Sequence, residues 1–133
     1  MTINWCAMNE FPNYSELSAF IQNNCDSIEK WDILVYFSRQ ANAKETIANL
    51  ITLTGKSQQS IQGAVDDLSA SGVLMAKLSN NGKPTLYSIM ADRRPLLEKL
   101  RLGLEDRQYR FKLMMLALEN IRSRNMSLQE ERV

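Results

Sequence analysis

Between Thr46 and Met90 the chain reads TIANLITLTGKSQQSIQGAVDDLSASGVLMAKLSNNGKPTLYSIM, and it is broken at Gly55, at Gly72 and at Asn81-Gly82. These breaks constrain the fold more than any other feature. Before Gly55, Ile47, Leu50 and Ile51 recur at helical spacing behind Thr46, a residue suited to capping a helix N-terminus. After it, Ser57 is placed to cap a second helix running to about Ser71, with Ile61, Ala64, Val65 and Leu68 on one face. Gly55 and Gly72 close these helices, since glycine tolerates the positive φ of a helix C-terminus. Past Gly72, VLMAKL (73–78) and TLYSIM (85–90) have strand character, and Asn-Gly between such runs is a strong signal for a tight hairpin.

The flanks are helical. Residues 1–12 show no period and end at Pro12, as an arm would. Leu17, Phe20 and Ile21 define a short amphipathic helix from Tyr14 to about Asn24. Asp26 or Ser27 can cap the next helix, in which Trp31, Ile33, Leu34, Val35, Tyr36 and Phe37 give an apolar girth wide enough for packing on more than one side. Asp92 is placed to cap a final helix with Pro95 in its first turn, where proline is tolerated. That helix is expected to run unbroken to Asn125, with Gly103 its one weak point and 126–133 a frayed polar tail.

The order helix, helix, tight turn, helix, hairpin, long helix resembles the winged helix-turn-helix domain of bacterial transcriptional regulators over residues 28–90. The residues that carry the likeness are Leu50 to Ser57 in the pattern LxxxTGxS, Ile61 to Leu68 in the pattern IxxAVxxL, and the Gly72-Val73-Leu74 exit into the hairpin. The expected fold is mainly α with a β-hairpin. An N-terminal arm and helix (1–25), a winged helix-turn-helix domain (26–91) and a long C-terminal helix (92–125) make it up. Ile51 departs from the pattern, which usually holds alanine where the two helices cross.

The resemblance implies a DNA-binding regulator with a reading helix at about 57–71 and a wing at about 78–85. The N-terminal residues of such a helix lie nearest the base edges. Ser57, Gln58, Gln59 and Gln62 are the candidate base contacts, because glutamine can bond adenine bidentately and serine can donate or accept. Candidate phosphate and wing contacts are Lys56, Ser60, Lys77, Asn80, Asn81, Lys83, Arg93 and Arg94. The alternative is that the glutamines and serines are only the wet face of a structural helix, and that Asn-Gly is only good turn chemistry. Asp66 and Asp67 on the same helix weigh against a phosphate-lined groove.

Leu97, Leu104, Phe111 and Leu118 are seven residues apart, with Leu100, Met114 and Ile121 in the alternate position. This a/d pattern, interrupted by Arg107, predicts a homodimer through the C-terminal helix. The rival arrangement folds residues 104–124 back onto the N-terminal helix and Trp31 of the same chain.

Composition excludes more than it selects. The 133 residues carry a formal charge of +1, with +3 confined to residues 92–133, so no strong field toward nucleic acid exists. Histidine is absent, and Cys6 and Cys25 form no metal-ligand spacing, so neither a metal site nor a histidine base is expected. No glycine-rich phosphate loop or isolated carboxylate pair suggests an enzyme, and no cofactor is expected. No apolar run approaches a membrane span and no signal peptide is evident, so the cysteines are expected reduced in the cytoplasm. The expected partners are double-stranded DNA and a second copy. The near-neutral charge keeps a winged-helix protein-interaction module without DNA binding open beside them.

Overall fold

A computed structural model describes residues 11–78 and 81–132. In order, it contains α1 (Tyr14–Asn24), α2 (Ile28–Arg39), α3 (Ile47–Thr54), α4 (Gln58–Ala70), β1 (Leu74–Lys77), β2 (Leu86–Ile89), a 3₁₀ turn (Ala91–Arg93), α5 (Arg94–Glu105) and α6 (Arg107–Arg132). Residues 1–10 of the arm, with Cys6, lie outside the described residues, as does Asn80 in the wing.

Capping chemistry sets the helix starts. Ser27 Oγ accepts from Lys30 N, Thr46 Oγ1 from Asn49 N and Ser57 Oγ from Ser60 N, each satisfying one orphan donor of a first turn. Gly55, at φ 71°, turns the chain between α3 and α4 in the left-handed region. The hairpin is antiparallel with Leu74 opposite Ile89 and Lys77 opposite Leu86; pairing stops there, short of the tight turn expected at Asn81-Gly82, of which Gly82 has positive φ (72°). Glu45 adds a third, one-residue rung: its N–H and carbonyl bond Tyr87 in both directions, at 2.9 and 2.8 Å. This rung fixes the wing to the segment before α3.

Helix α2 is the hub, packed against α3, α4, α5 and α6. Its Ile33, Leu34 and Phe37 are buried with Leu50, Ile61, Val65, Leu68, Leu97 and Leu100. The central helix inferred from its apolar girth is therefore central. Ile51 is half-buried against the same core, so the α3–α4 crossing accommodates it without alanine. Cys25 is fully buried, and burial chiefly pushes its thiol up to about 12.

Two expectations are corrected. The unbroken C-terminal helix is two helices, because Asp106 adopts an extended conformation (φ −87°, ψ 125°). Its Oδ1 accepts from Tyr109 N at 2.9 Å and so caps α6. The break lets Tyr109, Leu113 and Ala117 bury against the rest of the chain, and Tyr109 donates to the Pro12 carbonyl at 2.6 Å. Gly103 is not the hinge; it makes room, since a Cβ there would meet the Tyr109 ring at 3.4 Å. Asp92 is not a cap either. It lies inside the 3₁₀ turn, where Arg93 N donates to Met90 O at 2.9 Å, and α5 starts at Arg94 without a side-chain cap. Trp31 and Tyr36 are half-buried against the core. With Asp32, Val35, Leu53 and Thr54 they line an open groove of about 450 Å³ along α2 and α3.

The heptad is split by this bend. Leu97, Leu100 and Leu104 are fully buried in the chain's own core, so they are not available to a partner. Ile121 is half-buried. Phe111 (59% exposed), Met114 and Leu118 stay on the outside of α6, joined by Met115 and by Leu102 of α5. Helix α6 runs alongside α1 and continues to Arg132, through the segment the sequence pattern leaves as a tail.

Candidate nucleic-acid interface

Four buried residues, Ile61, Ala64, Val65 and Leu68, fix the rotation of α4 about its axis. Everything else on its first two turns must then face outward or sideways. Ser57, Gln58 and Gln59 are exposed and Gln62 is half-buried. The four candidate base contacts therefore share one end of one helix, as the spacing implies.

Their availability differs. Ser57 is engaged in the cap: its Oγ lies 3.0 Å from Ser60 Oγ, and Ser60 Oγ donates to Ser57 O at 3.1 Å. Gln62 Nε2 donates to Asp66 Oδ1 at 2.9 Å. Gln58 and Gln59 make no side-chain hydrogen bond among the described residues, so they alone present amide edges without first breaking a contact. The positive end of the α4 dipole adds to the attraction for an anion at this turn. Lys56, just before it, is half-buried. Burial pushes the nearby Asp32 carboxyl above the usual range, with Lys56 opposing and Glu29 adding to the rise.

Lys77, Asn81 and Lys83 are exposed on the hairpin. Arg94 is exposed but donates to Asn42 Oδ1 at 2.8 Å, tying α5 to the loop before α3. Arg93 is half-buried, and its Nε is fully buried with no partner among the described residues. Lys56, Lys77 and Lys83 are thus the less encumbered cations of the set.

One charged side chain beside this face escapes the sequence pattern. Lys30, in the first turn of α2, is only 7% exposed. Its Nζ lies 2.6 Å from Asp26 Oδ1 and 2.9 Å from Asp67 Oδ2 of α4. Asp26 in turn pairs with Arg124 of α6. Burial opposes charge on both Lys30 and Asp26, yet their partners win: the ammonium is held above its usual range and the Asp26 carboxyl below. Asn120 of α6 closes the junction by donating to the Cys25 carbonyl at 2.8 Å. A lysine between Glu29 and Trp31 in sequence gives no sign of a contact to a residue 37 positions away.

The chain has the winged helix-turn-helix fold of transcriptional regulators. It is similar over 99% of its length to a probable transcriptional regulator from Pseudomonas aeruginosa (19% identity, 97% of that chain, TM-score 0.53). It is similar over 100% to an apo ZitR mutant from Lactococcus lactis (14% identity, 99% of that chain, TM-score 0.54). The adhesin competence repressor of Streptococcus pyogenes matches 97% of it (12% identity, 90% of that chain, TM-score 0.54). No protein-family model matches the chain, and no curated protein sequence matches it significantly. Among the described residues no group of His, Cys, Asp and Glu could hold a metal ion, and no helix is long and apolar enough to cross a membrane.

Proposed function

We propose that this protein is a dimeric, sequence-specific DNA-binding transcriptional regulator. The observation that carries the proposal is the unengaged Gln58–Gln59 pair at the start of an α4 whose opposite face is locked into the core. In this reading α4 enters the major groove and the glutamine amides read base edges. Gln62 joins them by exchanging its Asp66 contact for a base. Ser57 and Ser60 hold the turn, and Lys56 meets a phosphate beside the helix N-terminus. Lys77, Asn81 and Lys83 bring the wing to the backbone or the adjacent minor groove, with Asn80 between them in sequence. Arg93 and Arg94 act mainly by holding the wing and α5 in place.

Dimerisation rests on the outer face of α6. Phe111, Met114, Met115 and Leu118, at helical spacing on α6, form an apolar surface that the described residues leave uncovered. A two-fold partner covers it and also presents two reading helices to one duplex. Two copies double the cations on the DNA side, which a chain of net charge +1 needs.

A mobility-shift titration tests the reading. Gln58→Ala and Gln59→Ala are expected each to weaken a specific site by about 1–3 kcal/mol and leave mixed-sequence DNA unaffected. Equal binding by wild type and both variants at every site would refute it. One observation favours a second reading, a protein-interaction module without DNA binding: Asp66 stands exposed on the reading helix. Capture of one protein partner with no DNA shift at low salt would select that reading instead.

A further inference from the structure

A helix meant for a phosphate-lined groove carries two adjacent carboxylates, and the structure treats them differently. Asp66 is exposed and receives only the Gln62 amide. Asp67 is exposed too, but its carboxylate lies beside the N-terminus of α2, where Lys30 meets it. We propose that Lys30 is a positioning residue for DNA recognition, a buried counter-charge that cancels Asp67 so that α4 can approach phosphates. The inference rests on the DNA-binding reading given above.

The geometry supports this in three ways. Lys30 is 7% exposed, so it is not itself a phosphate contact; its charge acts through Asp67. The paired groups Arg124, Asp26, Lys30 and Asp67 sum to zero, with Glu29 lining the same pocket, so removing the ammonium adds one net negative charge to the flank of α4. Gln59, Ser60 and Gly63 line the same shallow pocket as Lys30 and Asp67, a space of about 260 Å³, so the charge would sit beside candidate DNA contacts. Losing the ammonium strands no buried charge. Asp26 keeps Arg124, and the Asp67 side chain is 60% exposed and reaches water.

The test uses the full chain and a mixed-sequence DNA duplex long enough for two half-sites, titrated at several salt concentrations. Lys30→Met is expected to weaken binding on the order of tenfold at low salt, from one uncompensated charge near the duplex. The loss should shrink as salt rises, because the uncompensated charge is screened, so the salt slope becomes shallower than that of wild type. Lys30→Arg, which keeps the charge, should restore binding. Asp67→Asn keeps an acceptor for Lys30 and removes the negative charge, so it should bind DNA several-fold tighter than wild type; it serves equally if Lys30→Met fails to fold. Folded Lys30→Met with wild-type affinity, or Asp67→Asn with weakened affinity, overturns the inference while leaving DNA binding intact. Absence of any wild-type binding overturns the DNA-binding reading and the inference with it.

Discussion

Phe111 offers the sharpest test of the dimer. It is 59% exposed on α6 and makes no part of the buried core, so its loss should cost the fold little and the assembly much. A phenylalanine side chain presents ~200 Å², of which the chain leaves roughly 120 Å² to solvent. If a two-fold partner covers half of that in each protomer, the apolar burial is worth about 3 kcal/mol per dimer at ~25 cal/mol/Å². Phe111→Ser should therefore raise the dimer dissociation constant by about two decades. Sedimentation equilibrium across the micromolar range measures this directly, with thermal melting followed by circular dichroism as the control for folding. A wild-type monomer throughout that range refutes the reasoning, and so does a Phe111→Ser dimer as tight as wild type.

Three further outcomes follow from the same geometry. Lys83→Ala, on the exposed wing, should weaken binding to all sequences alike and lower the salt slope by about one per protomer, read from titrations at several salt concentrations. Gly63 lies inside α4 with open space where a Cβ would stand, so Gly63→Ala should stabilise the chain by about 0.5–1 kcal/mol in urea denaturation. A destabilised variant would mean that α4 is packed differently from the arrangement described. Asp26 titrates below its ordinary range in the folded chain, because Lys30 and Arg124 overcome the effect of burial. Its stabilising contribution is complete above the unfolded carboxylate range and is lost as pH falls through the lower folded value, so Asp26→Asn should flatten the stability–pH curve below about pH 4.

What could be read from the sequence was local chemistry. Thr46, Ser57 and Gly55 act within a turn of themselves, and the bounds of α1, α3 and α4 follow from such signals with the apolar period, whereas Asn81-Gly82 signalled a tighter turn than the strands make. The inward face of α4 followed from spacing alone, and with it the outward glutamines. The C-terminal break did not, because a heptad looks the same whether a helix is straight or bent at one residue. Asp106 bends it, and the favourable outcome is tertiary: Tyr109 over Gly103 and bonded to Pro12. The Glu45–Tyr87 rung and the Lys30–Asp67 pair escaped for the same reason, since each joins residues far apart in the chain through a contact no local pattern announces.

In the proposed function, Gln58 and Gln59 on α4 read DNA sequence. Selection of genomic fragments by the full chain at low salt, followed by sequencing, tests it most directly. Enrichment of a two-fold symmetric motif is expected, with a half-site preference that relaxes when Gln59→Ala replaces the wild type. Recovery of no sequence above background, or of an unchanged motif with the variant, would contradict it.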